Sequence, residues 1–119
     1  MLEYSKEVKK LGKTLFELIS QALDLHQDYL ENEDCARGHV FYCQYYPKCP
    51  EPDKTLGHAR HTDPDFLTVL LQDRNDGLQV LHQNHWINVR PKRGSLLINT
   101  GDLLQVSVTT QTRITLLVF

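Results

Sequence analysis

The chain is poor in several things that would each have named a class of protein. It has three cysteines, Cys35, Cys43 and Cys49, an odd number with no C-x-x-C spacing. That argues against a disulfide frame and against a cysteine zinc site, and suits reduced thiols in a cytoplasmic setting. Charge of one sign is scarce too: 13 Lys and Arg stand against 15 Asp and Glu, a formal net charge of −2. No general attraction to nucleic acid or to an anionic membrane is expected from that balance. No apolar run approaches the roughly 20 residues that cross a bilayer. The opening Met1-Leu2-Glu3-Tyr4 lacks the basic-then-apolar pattern of a secretory signal. There is no internal repeat and no low-complexity tract. What remains is 119 residues, 40% hydrophobic and 24% charged, the composition of one small globular domain or of a piece of a larger one.

Residues 3–25 read as one amphipathic helix. Val8, Leu11, Leu15, Leu18, Ala22 and Leu25 recur at helical spacing, and Phe16, Ile19 and Leu23 widen the stripe. Lys6, Lys9, Lys10, Lys13 and Glu17 fill the other side. So broad a stripe should pack on a sheet. A membrane-surface helix would carry a more strongly basic polar face. From His26 to Gly38 the chain is polar and acidic, and a short helical turn and a loop are expected.

Gly38 to Tyr46 looks like a strand, rich in Val40, Phe41, Tyr42, Tyr45 and Tyr46. Pro47, Pro50 and Pro52 stop it and force an extended loop through Leu56. A buried strand is expected at Phe66–Leu71, with Asp76-Gly77 as the hairpin signal that returns it along Leu78–Leu81. Gln83-Asn84 makes the next turn, Trp86–Val89 another strand, Pro91–Gly94 a further turn and Ser95–Asn99 a strand. Gly101-Asp102 then leads into Leu103–Val106. Short strands with close turns suggest an antiparallel barrel or jelly roll, so the fold class is α+β.

The chemistry concentrates in Gly57-His58-Ala59-Arg60-His61-Thr62-Asp63-Pro64-Asp65. On an extended backbone, residues two apart point to the same side. His61 and Asp63 can then aim an imidazole and a carboxylate at one point, two thirds of the 2-His-1-carboxylate set that holds non-haem Fe(II) with open positions. H-x-D is short, and taken alone it also fits a surface His and Asp beside a turn.

Several segments stand in a fixed order around it. They are Gln44-Tyr45-Tyr46-Pro47-Lys48-Cys49-Pro50-Glu51-Pro52, Leu56-Gly57-x-x-x-His61-x-Asp63, Phe66–Asp73, Gly77–Leu81, Trp86-Ile87-x-Val89 and Asn99-x-Gly101-Asp102. Together they resemble the plant 2-oxoglutarate- and Fe(II)-dependent dioxygenases, and among them the homologues of 1-aminocyclopropane-1-carboxylate oxidase. The resemblance runs from the N-terminal helix to about Gln105. It implies a double-stranded β-helix (jelly-roll) core with the N-terminal helix packed on it. It also implies Fe(II), 2-oxoglutarate as co-substrate, ascorbate as an accessory reductant, and a small plant metabolite as the substrate that is hydroxylated or desaturated.

Carried over by position, His61 and Asp63 are two iron ligands, and Tyr46 is the tyrosine that touches 2-oxoglutarate. Gln44 stands where many members have Asn. Without the family, Tyr46 would read as a strand-end aromatic in the core. The family also has a second iron-binding His on a later strand, then an Arg-x-Ser pair that clamps the distal carboxylate of 2-oxoglutarate. The last histidine here is His85, and Arg113-Ile114-Thr115 resembles the clamp with Thr for Ser. His82 and His85 fall at turn positions of the family, while His58 and Asp65 flank the motif as further donors.

The tail 106–119 has two competing accounts. Either a segment carrying the distal His has been lost and the clamp strand joined on, or the tail is unrelated translated sequence. Members also carry a long region before the helix. The expectation is therefore a fragment truncated at both ends: an N-terminal helical segment at 1–37, a partial dioxygenase domain at 38–105 and a divergent strand-like tail at 106–119. Oxygenase turnover should then be impaired. The alternative is a non-catalytic chain that misfolds or associates with a full-length relative through its open sheet edge.

Overall fold

A computed structural model of the chain describes residues 2–107 and the backbone of residues 117–118. The chain divides into two compact units, Met1–Thr62 and Asp63–Phe119.

The first unit opens with helix α1, Leu2–Ala22, and continues with the single turn α2, Tyr29–Asn32. The buried face of α1 is Leu15, Phe16, Ile19 and Ser20, followed by Leu23 just past its end. That face is rotated from the expected stripe: the widening residues are its centre, and Leu18 is 53% exposed. The partner sets the rotation. Fully buried Leu30 of α2 packs with this face, and the Ser20 hydroxyl donates to the Phe16 carbonyl (2.8 Å) and accepts from the Leu30 N–H (3.3 Å). Lys13 also reaches Glu31 in an ion pair.

Both helices stop on an aspartate in the left-handed region, Asp24 at φ 57° and Asp34 at φ 60°. Around each runs the bond pair of a Schellman cap. Leu25 N–H donates to Ser20 O and Asp24 N–H to Gln21 O; Cys35 N–H donates to Leu30 O and Asp34 N–H to Glu31 O. This cap ends α1 three residues short of the expected Leu25.

Gly38 to Tyr46 is not a strand. The segment is extended and exposed, and no backbone hydrogen bond from residues 38–50 is formed among the described residues. High β-propensity needs a pairing partner before it becomes a ladder. One 3-10 turn, Pro52–Lys54, interrupts the loop that follows, where proline occupies a first-turn position and loses no hydrogen bond.

The second unit holds two antiparallel sheets. One has the order β1-β4-β5, from Leu67–Leu70, Leu97–Thr100 and Leu117–Val118; the other pairs β2, Gln79–His82, with β3, His85–Asn88. Strand β1 therefore pairs with β4, in the register Leu67↔Thr100 to Leu70↔Leu97, and not with the next strand through Asp76-Gly77. The hairpin expected there does not form. Gly77 lacks the positive φ that a primed turn demands, and Asp73 bends the chain earlier by accepting from the Asn75 N–H (2.7 Å).

The expected turn at Gln83-Asn84 is present. Both residues have positive φ, 47° and 63°, as a type I′ hairpin needs. Strand β4 lies between β1 and β5, and its Leu97, Ile98 and Thr100 are buried, which makes it the centre of this unit's core. Leu103–Val106 belongs to helix α3, Asp102–Ser107, and is not a strand. Asp102 favours a helix start by its charge, and Leu104 turns into the core. The first two residues of the tail, Val106 and Ser107, are thus helical and not strand-like, whereas Leu117–Val118 pairs with β4.

Candidate functional site

Gly57 to Pro64 runs without regular structure, and its side chains are exposed except for half-buried Asp63. Such a loop keeps its shape only through bonds to its own backbone and to neighbouring elements. His61 Nδ1 lies 2.8 Å from the Ala59 carbonyl oxygen, and His58 Nδ1 lies 3.1 Å from the same oxygen. A carbonyl can only accept, so the ring nitrogen facing it is the protonated one. A neutral imidazole protonated at Nδ1 carries its lone pair on Nε2, the arrangement of a metal-ligating histidine oriented by a backbone carbonyl. The two rings stand 4.3 Å apart at 50°, so His58 buttresses His61.

Asp63 is held from the other unit-two elements. Its backbone carbonyl accepts from the Asp102 N–H at 2.8 Å, satisfying a helix-end donor of α3 that has no partner inside the helix. Its Oδ2 lies 3.5 Å from Asn99 Nδ2. Gly101 donates to the Phe66 carbonyl at 3.0 Å, and a Cβ at Gly101 would overlap the Asp65 carbonyl oxygen and come within 2.9 Å of the Asp63 oxygen. The Asn99-x-Gly101-Asp102 segment is therefore the clamp under the Asp63–Phe66 turn. As sequence, Asn99-x-Gly101-Asp102 marks the family without showing a role at the site; the N-x-G-D spacing is the signal that points to it.

Tyr46 is 54% exposed, so the core reading of that residue fails. Its hydroxyl donates to Gln44 Oε1 at 3.0 Å, and its ring lies over Gly57, where a Cβ would meet Cδ1 at 3.4 Å. Tyr46 thus rests against the start of the histidine loop at ordinary contact distance, with Gln44 fixing its polar end. Arg113 and Thr115 lie outside the described residues.

His82 and His85 face each other across the β2–β3 hairpin. Among the described residues no group of three or more His, Cys, Asp or Glu side chains could hold a metal ion. His58, Asp65, His82 and His85 therefore do not complete a three-donor set with His61 and Asp63. In donor type, and in the orientation of His61, the motif suits Fe(II).

The chain matches the profile of the 2OG-Fe(II) oxygenase superfamily over residues 37–115. That match runs beyond Gln105, where the motif reading ends, and takes in Arg113 and Thr115. Among curated proteins, it is 55% identical over 106 residues to 1-aminocyclopropane-1-carboxylate oxidase homolog 1 of Arabidopsis thaliana, covering 89% of this chain and 29% of that protein. Homolog 4 is also 55% identical and homolog 5 is 53% identical, with 30% and 27% of their lengths covered. The chain thus spans less than a third of these relatives. Among solved structures, the crystal structure of JOX2 in complex with 2OG, Fe and JA is similar, at a TM-score of 0.76 and 32% identity, over 87% of this chain and 32% of that one. With a profile match over most of its length, and with Asp63 of the H-x-D motif held by the N-x-G-D segment, the chain belongs to the 2OG-Fe(II) oxygenase superfamily.

Proposed function

We propose that this chain is a section of an Fe(II)- and 2-oxoglutarate-dependent oxygenase acting on a small plant metabolite by hydroxylation or desaturation, with impaired turnover. The observation that carries the reading is the His61 ring anchored through Nδ1 on Ala59, next but one to Asp63, whose backbone carbonyl accepts from the Asp102 N–H and whose carboxylate faces the Asn99 amide. The likeness to JOX2, crystallised with 2OG, Fe and JA, supports the same cofactor and co-substrate and a small-molecule substrate here. The N-terminal helix packed on a jelly-roll core, as the family implies, belongs to this proposal, as do the cytoplasmic setting and ascorbate as accessory reductant.

In the proposed centre His61 Nε2 and the Asp63 carboxylate hold the metal. When bound, iron supplies the redox chemistry that couples oxidative decarboxylation of 2-oxoglutarate to oxidation of the substrate. The remaining work falls to the chain. Ala59 fixes the tautomer and orientation of His61, and Asp102 and Gly101 fix the turn that presents Asp63. Tyr46, oriented by Gln44, offers a hydroxyl to 2-oxoglutarate, and Arg113 with Thr115 clamps its far carboxylate. With two protein donors in place of three, metal affinity is low.

Anaerobic Fe(II) titration, with and without 2-oxoglutarate, tests this against His61→Ala and Asp63→Ala. Weak binding that both substitutions abolish is expected, with no succinate formed above the His61→Ala control. Equal binding by all three proteins sinks the metal centre, and robust succinate production by the wild-type chain sinks the impairment.

A second reading, a non-catalytic chain that self-associates or pairs with a full-length relative, is favoured by one observation. Val40, Tyr42 and Tyr45 are 65%, 77% and 87% exposed on an extended backbone with no ladder partner among the described residues.

A further inference from the structure

Asn99 sits on β4 between buried Ile98 and Thr100, opposite Thr68 of β1. Its Nδ2 points at Asp63 Oδ2, 36 residues away in sequence. Its Oδ1 is buried and has no hydrogen-bond partner among the described residues. A buried carbonyl left without a partner is unfavourable, so the orientation that leaves it so needs a cause. The other amide orientation would set Oδ1 against the carboxylate, two acceptors facing each other, and would bury the NH₂ in the place of the orphaned oxygen. The orientation with NH₂ toward Asp63 is thus chosen by the carboxylate, and the orphaned Oδ1 is the consequence.

We propose that Asn99 is a positioning residue for Asp63: its side-chain amide, delivered by the central strand, sets which way the carboxylate faces. At 3.5 Å the contact is long for a hydrogen bond, and a charge-assisted one draws in to about 2.7–2.9 Å. The backbone bond from Asp102 and the close packing at Gly101 hold the main chain of the same turn, while the Asn99 amide is directed at its carboxylate. Partners of metal ligands in this position commonly affect affinity by about 10–100-fold. The inference extends the metal-centre reading, yet the contact itself exists without metal, and the two are tested separately.

In the metal-free, ¹⁵N-labelled chain, the Asn99 side-chain NH₂ signals should move and exchange faster in Asp63→Ala, while the backbone amides of β1 and β4 stay in place. Unmoved NH₂ signals overturn the proposal. Co(II), followed by its visible absorption, is the metal probe. Asn99→Ala should weaken its binding about tenfold or more, and should add nothing in the Asp63→Ala background because Asn99 acts only through that carboxylate. An equal loss in both backgrounds also overturns the proposal. Should Asn99→Ala fail to fold, Asn99→Ser, which keeps a polar group on the strand but cannot reach Asp63, carries the same arms. If the wild-type chain binds Co(II) no better than Asp63→Ala, the metal centre is lost, and the NH₂ signals alone decide on Asn99.

Discussion

Gly101 has no room for a side chain. A Cβ there would overlap the Asp65 carbonyl oxygen and lie 2.6 Å from its carbon, and both are backbone atoms that cannot swing aside. Gly101→Ala should therefore destabilise the chain by about 1–3 kcal/mol, the usual penalty of overpacking. Urea unfolding reads it, and a change under 0.5 kcal/mol, the ordinary range of surface substitutions, would show that the turn yields freely. Cys35 makes a different point. Burial, and then the charge of Glu33, pushes its thiol pKa up. Cys43 and Cys49 are exposed. Iodoacetamide at pH 8 should alkylate those two quickly and Cys35 only after denaturation. The linkage has a sign. The unfolded thiol ionises near its ordinary 9.0 and the folded one above it, so stability is full below pH 9 and declines as pH rises further. A Cys35→Ser variant should lack that decline in urea midpoints measured from pH 8 to 10.

Helix ends in this chain rest on aspartates where glycine is the unstrained choice. A non-glycine residue in the left-handed region costs about 1–2 kcal/mol, less for Asp or Asn, whose short side chains bond locally. Asp24→Gly and Asp34→Gly should each raise stability by about 0.5–1 kcal/mol, read as a higher urea midpoint with an unchanged slope. A loss would mean that the carboxylates contribute more than the backbone strain. The short elements explain which local signals were legible. Gln83-Asn84 reads as a turn and adopts one, because a primed turn is decided by two residues. Asp76-Gly77 carries the same kind of signal and makes no hairpin, because β1 finds its partner in β4, beyond the β2–β3 hairpin. The aromatic run Gly38–Tyr46 carries strand propensity and forms no strand, having no ladder partner among the described residues.

The molecule as a whole leaves that run exposed. Replacing Tyr42 and Tyr45, 77% and 87% exposed, together by lysine should lower self-association in sedimentation velocity without lowering stability, since charge on an open edge opposes pairing. Association that persists unchanged would place the contact elsewhere. At this level the chain is two compact units joined at Thr62–Asp63, so the two residues of the H-x-D motif belong to different units while staying two apart in the chain. The amphipathic character of α1, the H-x-D spacing, the I′ turn and the ordered family segments were all determined by the sequence alone, because each is written within a few neighbouring residues. Only the tertiary structure decided which face of α1 is buried, which strand pairs with β1, and that Asn99 and Gly101 serve Asp63 and its turn. Those outcomes depend on what lies opposite a residue across tens of positions of chain, and pairing across such distances leaves no local periodicity to read.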